Sequence, residues 1–245
     1  SVDLVGIGPS GTGRRDMNER NQAKRLHILF PERGHHTGAY LLPKGDSTPP
    51  AYQDSPVVSE YFAHCEAERR KNYGQWARLV PGPSTVFPNM SYLPRQPRTI
   101  SAWHPRGPDS HEAWRWFLID KNAPAEVKEF LRHYYISYSG PAGLTEQDDM
   151  ENWNYAHNAS QGVIARRFPY NYQMGMGFDG PPVDTDGLDM PGKIRNVTGA
   201  KATEHNQRGF YQRWSEFMNV GDWDTLATWR NGHANGTNTG NGKAL

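Results

Sequence analysis

A single cysteine, Cys65, is all the thiol this 245-residue chain has. That excludes an internal disulfide framework and any cluster site built on two thiolates, and it fits a reducing, cytoplasmic setting. Long apolar runs are missing too: nowhere do eighteen apolar residues follow one another, so the sequence predicts no transmembrane helix. Charge of one sign is missing: 27 Lys and Arg stand against 26 Asp and Glu, and a net charge of +1 gives no electrostatic case for nucleic acid or an anionic membrane. No internal repeat of the solenoid kind is present.

Large rings are abundant. Eight Trp and twelve Tyr lift the aromatic share to 12%, enough to build a core although only 36% of residues are hydrophobic. The length suits one domain or a large part of one. Along the chain, residues 1–20 are rich in Gly, Ser and charge and read as loop. Alternation from Lys24 to Phe30 predicts a strand, with Thr37 to Leu42 as its hairpin partner. Residues 43–56 hold four prolines and read as loop. From Val57 to Val80, Val58, Phe62, Cys65, Tyr73, Trp76 and Val80 fall at helical spacing and read as a core stripe. Ser84 to Leu93, Arg98 to Trp103 and Glu112 to Ile119 read as consecutive strands, the last with Trp114 and Trp116 on one face and Arg115 and Phe117 on the other. Pro124 to Tyr135 is a predicted helix with Pro at its start. A second helix spans roughly 144–161, residues 163–177 read as irregular, and 178–203 read as loop. Glu204 to Met218 is a helix and Trp223 to Trp229 a short one. The Gly/Asn-rich tail, 232–245, is expected to be disordered, leaving 1–231 as the folded portion. Hairpins of strands with helices to one side argue an α+β fold on an antiparallel sheet.

The chemistry concentrates in Gly140-Pro-Ala-Gly-Leu-Thr-Glu-Gln-Asp-Asp-Met-Glu-Asn-Trp153. Asp148 and Asp149 stand side by side just inside a helix start. One reading is structural, with Thr145 as N-cap and acids favoured in the first turn by the helix dipole. The other is functional, because a carboxylate on a rigid element is a good hard ligand for iron. His35 and His36 lie in turn-like Pro31-Glu-Arg-Gly-His-His-Thr-Gly38; neighbouring strand residues point to opposite faces, so they read as a polar turn rather than a metal pair.

The acidic string resembles a signature of the aromatic-ring-hydroxylating (Rieske non-haem iron) dioxygenases, in the catalytic domain of the large, or alpha, subunit. Thr85-Val-Phe-Pro-Asn-Met-Ser91, Trp103-His-Pro105 and Arg208-Gly-Phe-Tyr-Gln-Arg-Trp214 resemble further family segments in the same order. The resemblance covers most of residues 1–225. It implies a helix-grip architecture, a curved antiparallel sheet and helices around an active-site cavity, with residues 1–20 in a mobile lid. It implies that Asp149 is the carboxylate of a 2-His-1-carboxylate Fe(II) site, with Asp148 a neighbour and Asn152 a hydrogen-bonding group behind the ligand. Ser139, Leu144, Thr145, Leu93 and Gln96 would line the substrate pocket, with Pro81 and Pro83 flanking it. Several of these are smaller than in other members, which suggests a polycyclic aromatic substrate. The implied reaction adds both atoms of O2 to the ring and gives a cis-dihydrodiol. Electrons would come from NAD(P)H through a reductase and a ferredoxin, and from a [2Fe–2S] Rieske cluster in a preceding domain. A small (beta) subunit and an alpha3beta3 or alpha3 assembly are the implied partners; no nucleic acid and no membrane are expected.

Two departures from the pattern stand out. The single cysteine cannot hold a Rieske cluster, and none of the ten histidines forms the His-x4/5-His pair that would complete the iron site. The chain is accordingly read as a C-terminal piece of a longer large subunit, inactive alone. The alternative from another class is an iron-free helix-grip module that binds an apolar aromatic ligand. His104, His157 and His205 read as structural or surface histidines.

Overall fold

The computed structural model describes residues 24–30, 33–44, 55–94, 97–143, 145–177, 185, 187–189 and 203–226, and the backbone of 193–196. Its centre is one antiparallel sheet of seven strands: β1 (Lys24–Phe30), β2 (His35–Leu41), β3 (Leu79–Val86), β4 (Met90–Leu93), β5 (Thr99–Pro105), β6 (His111–Phe117) and β7 (Lys193–Asn196). Their order across the sheet is β6-β5-β4-β3-β2-β1-β7. Among the described residues four complete α-helices accompany it: α1 (Pro56–Tyr73), α2 (Ala125–Ser139), α3 (Glu146–Ser160) and α4 (His205–Asn219).

The predicted α+β class with an antiparallel sheet is what the chain adopts, and the helices lie as in a helix-grip fold. Side chains alternate between the two faces of a strand, and partners across a ladder share a face. The ladder His36↔Thr85, Thr85↔Ser91, Ser91↔Ser101, Ser101↔Arg115 therefore runs along one face from β2 to β6. Helix α4 meets that face at its β1–β2 end, where a Cβ on Gly209 would stand 2.5 Å from Leu29 Cδ1, so any larger residue would have to displace the Leu29 side chain. Helices α2 and α3 meet it at the β5–β6 end. There Phe117 of β6 stacks on Tyr135 of α2 at 4.6 Å, and Trp103 of β5 meets Trp153 of α3 edge-to-face at 5.7 Å.

Two buried clusters stabilise the ends. Leu26, Ile28, Ala39, Leu41 and Leu188 form one, on the face of β1–β2 opposite α4, with Phe30, Trp76 and Leu79 packed against it. Val58, Ala123, Val127 and Leu131 form the other, between α1 and α2, joined by Phe117 and Ile119. Ser55 caps α1 by accepting from Val58 N–H at 3.2 Å and also contacts Glu126 of α2.

The structure corrects four local readings. The stripe read as one helix to Val80 ends at Tyr73: Gly74, with φ 52°, breaks it, a 3-10 turn covers Gly74–Arg78, and β3 starts at Leu79. Ser84 to Leu93 is not one strand but parts of two, because Phe87, Pro88 and Asn89 turn the chain so that Val86 pairs with Met90. Within the presumed loop 178–203, Lys193–Asn196 pairs with β1 as an edge strand. His35 and His36 are not in the turn but open β2, paired with Phe30 and Leu29. Helix α2 also runs a turn further than predicted, to Ser139. The calls on the N-terminal lid, the 232–245 tail and residues 227–229 of the last predicted helix lie outside the described residues; Trp223 to Leu226 of that helix is helical.

Candidate functional site

The Gly140–Gly143 break folds tightly enough to bring α2 into α3. Gly140 N–H bonds to Tyr135 and Ile136 carbonyls, Gly143 N–H donates to Gly140 O at 2.7 Å, and Thr145 N–H reaches Tyr138 O at 3.4 Å. A Cβ on Gly140 would stand 2.5 Å from Ile136 O, so the backbone itself fills that space. Glu146 then opens α3, with Asp148 and Asp149 in its first turn.

Thr145 occupies the N-cap position, but its hydroxyl makes no cap hydrogen bond. The structural reading of the acidic string therefore loses its capping half and keeps only the dipole term. Asp149 is exposed, and its carboxylate makes no hydrogen bond or ion pair among the described residues. Asn152 lies one turn on, also exposed and with no side-chain partner among them. Glu146, by contrast, is committed: its carboxylate is paired with Arg115 of β6, and the two side chains are only 15% and 13% exposed.

The remaining pocket candidates do not all gather on one side: Pro81 pairs with Ala39, which belongs to the opposite face of the sheet. Ser139 ends α2 and is 8% exposed, with an Oγ that has no hydrogen-bond partner among the described residues. A buried hydroxyl left unpaired faces something other than protein or pays a desolvation cost. Leu93 is half-buried, and the ladder Leu93↔Thr99↔Phe117 puts it on the face where α2 and α3 sit. Pro81 and Pro83 are exposed at the irregular part of β3. Leu144 and Gln96 lie outside the described residues.

A group of histidines that the motif search left unassigned gathers at the other end of the same face. His27 and His36 stand on β1 and β2, and His205 opens α4, where it is buried. Arg208 donates to His205 Nδ1 at 2.8 Å and to the Tyr172 and Met174 carbonyls, tying residues 172–174 to α4. Burial first, then the nearby His27 and His35, push His36 down to about 4. His27 is lowered by burial and by His205; His35 is lowered by burial and by Arg33 and Arg213. These are neutral packing histidines, and His35 Nδ1 accepts the Phe87 N–H at 3.0 Å. Among the described residues no three His, Cys, Asp or Glu side chains are placed to hold a metal ion. Asp149 fits one position of an iron site as an uncommitted oxygen donor, and the imidazoles would have to come from elsewhere. No helix among the described residues is long and apolar enough to cross a membrane.

Arg115 was not singled out from the sequence as a site residue, although a signal was there. It sits between two outward tryptophans, so strand alternation turns it inward, and an inward arginine needs a carboxylate.

Comparison with known proteins bears on the same segments. Residues 17–220 match the family described as "Ring hydroxylating alpha subunit (catalytic domain)". The biphenyl 2,3-dioxygenase alpha subunit of Rhodococcus jostii (strain RHA1) is 35% identical over 211 residues, which is 84% of this chain and 43% of that protein. The benzene 1,2-dioxygenase alpha subunit of Pseudomonas putida is 34% identical over 202 residues, 80% of this chain and 42% of that protein. Among solved structures, naphthalene 1,2-dioxygenase from Rhodococcus sp. bound to indole superposes with a TM-score of 0.61 at 27% identity, over 88% of this chain and 48% of that one. The chain thus spans less than half the length of these relatives.

Proposed function

Because the chain belongs to the ring-hydroxylating alpha-subunit family, by its catalytic domain, we propose that residues 1–231 are the catalytic-domain portion of an oxygenase that adds both atoms of O2 to an aromatic hydrocarbon, giving a cis-dihydrodiol. What supports this most directly is Asp149, an exposed carboxylate without a partner among the described residues, on a helix whose first residue, Glu146, is locked to the sheet.

In this reading Asp149 supplies the one anionic ligand of a mononuclear iron, and two histidines outside this sequence supply the rest. When bound, the iron activates dioxygen with electrons passed from NAD(P)H through a reductase, a ferredoxin and a [2Fe–2S] cluster. The chain's own residues do the placing. A helix holds the carboxylate at a fixed angle, which a loop would not. Asn152, one turn later, is placed to hydrogen-bond behind the ligand once the site is assembled. Leu93, Leu144 and Thr145 offer an apolar wall with few polar groups, as small-molecule sites do, while Ser139 and Gln96 provide the orienting contacts. Ser139 in particular has a buried hydroxyl to offer, without a partner among the described residues. The two relatives are named for biphenyl and benzene, and modest side chains at these wall positions favour a substrate of two or more rings. A beta subunit and assembly as alpha3beta3 or alpha3 complete the proposal.

The test is product analysis in cells that express the full-length large subunit carrying this sequence with its small subunit, ferredoxin and reductase. Biphenyl, naphthalene and benzene are supplied in turn. cis-Dihydrodiols are expected with the native sequence and none with Asp149→Ala, whose purified protein should also lack mononuclear iron. Equal iron and equal product in Asp149→Ala would overturn the ligand assignment.

A further inference from the structure

Helix α3 presents an unusual problem of support. It buries none of its fifteen residues, so no apolar stripe fixes its position on the sheet. A surface helix ordinarily gets that position from an apolar face. What holds α3 instead is a short series of directed contacts. Glu146 meets Arg115, Trp153 meets Trp103 edge-to-face at 5.7 Å, and His157 lies 3.3 Å from Asp109. The last pair is exposed, 40% and 69%, and contributes little. The first is the one near the chemistry: Glu146 and Asp149 are three residues apart on a helix, about 4.5 Å along the axis and on neighbouring parts of one face.

Arg115 is not a surface partner that happens to reach Glu146. It sits half-buried on β6, donates from Nε to Ser101 Oγ of β5 at 3.1 Å, and pairs with Glu146 through Nη1. Ser101 is itself buried and its hydroxyl fixes the plane of the guanidinium. Tyr135 of α2, stacked on Phe117, completes the surround of the same arginine. One side chain thus connects the edge strand β6 and its neighbour β5 to both helices that flank the Gly140–Gly143 break. Removing one partner of such a desolvated, hydrogen-bonded pair leaves the other charge uncompensated, which is costly, whereas a surface pair would hardly register.

We propose that Arg115 is a positioning residue for the metal site: by holding Glu146 it fixes the first turn of α3 and so the direction in which Asp149 presents its carboxylate. This rests on the assignment of Asp149 as an iron ligand. Arg115 touches neither metal nor substrate in this role. Its effect is on the geometry of one ligand, and therefore on how long iron stays and how symmetric its field is.

The experiment uses the full-length large subunit in its holoenzyme. Iron loss to a ferrous chelator is timed, the EPR spectrum of the nitric oxide complex is recorded, and the thermal midpoint is measured for Arg115→Met, Arg115→Lys, Glu146→Gln and Asp149→Ala. Arg115→Met should release iron at least tenfold faster and broaden the EPR signal, and Arg115→Lys should recover part of both. Glu146→Gln is nearly isosteric and should do the same as Arg115→Met; it carries the test if the arginine variant does not fold. A merely structural arginine would lower the thermal midpoint and leave the iron release rate and EPR lineshape of the folded fraction unchanged, and that result overturns the proposal. Asp149→Ala separates the two claims. If it loses iron while Arg115→Met and Glu146→Gln keep the native rate and spectrum, the positioning role is wrong and the ligand assignment stands. If Asp149→Ala keeps its iron, the ligand assignment fails and the positioning role fails with it.

Discussion

Helices α3 and α4 are of equal length, fifteen residues each, and both lie on the same face of the sheet, yet they are held in opposite ways. Helix α4 buries His205, Asn206, Gly209 and Arg213. Gly209 lets it settle onto Leu29, and Phe87 is enclosed between Phe210 and Phe217 at 5.1 and 5.2 Å. Helix α3 buries nothing; it commits Glu146 to Arg115 and leaves Asp149 with no partner among the described residues. The contrast shows why a metal ligand belongs on the second kind of support. A helix sunk into the core turns its polar groups toward protein, while one held by a few directed contacts can leave a carboxylate open to solvent and still fix its angle.

Breaking the buried side should cost most. Leu131, 2% exposed in the α1–α2 cluster, is expected to cost roughly 2–5 kcal/mol as Leu131→Ala, by lost transfer energy and a residual cavity. The matched change on α3, Met150→Ala, should stay within about 0.5 kcal/mol, because Met150 is largely exposed. Denaturant unfolding of both proteins checks the pair; equal losses would mean that α3 is as deeply packed as α2.

The α4 side should also show a pH dependence of its own. His36 has its pKa pushed down to about 4 in the fold, against an ordinary value of 6.5. Between those values the unfolded chain takes up a proton that the folded chain refuses. Stability therefore falls as pH drops from 6.5 toward 4, and the loss levels off below that. The ceiling is about 3 kcal/mol for this one group, at roughly 1.4 kcal/mol per pH unit. His27 and His35, also lowered, add in the same direction. His36→Gln removes the titration but keeps a neutral polar side chain, and should flatten the acid limb of a melting-temperature profile. An unchanged limb would show that other groups dominate it.

These two regions differed in how readily the sequence exposed them. Strict alternation made β1, β5 and β6 readable, and the 3.6-residue stripe with Pro124 made α2 readable. The break between β3 and β4 was missed although Pro88-Asn89 is a turn signal, because apolar residues on both sides carry the alternation across it. β7 was missed for a different reason: Lys-Ile-Arg-Asn has one apolar residue, and only the free edge of β1 makes it a strand. At the site, the resemblance pointed to Asp149, but Arg115 required knowing that Ser101, Tyr135 and Glu146 converge on one guanidinium, a long-range fact that no local pattern carries.

Trp153→Ala tests the next contact along α3. The ring meets Trp103, whose indole N–H donates to Ser91 Oγ at 3.0 Å, so Trp103 is fixed from the sheet side. Losing the pair should cost about 0.5–1.5 kcal/mol beyond the small area buried. Amide exchange in 150–160 should quicken while that of α4 holds. Uniform acceleration across both helices would mean that they open together and that the distinction between their supports is only geometric.

The smallest expected change in stability is the most informative one. Asp149→Asn keeps the shape and removes one first-turn charge, a loss of a few tenths of a kcal/mol up to about 1 kcal/mol from the helix dipole. With no partner among the described residues, little else is there to lose. Asp148→Asn should cost the same, since the two carboxylates share the same turn. If stability is all these residues serve, the two variants are indistinguishable by every measurement. If Asp149 is the ligand, they part company only when iron is present: Asp148→Asn melts higher with iron than without it, as the native protein does, and Asp149→Asn melts at the same temperature in both conditions, because a metal that binds only the folded state stabilises only a protein able to bind it.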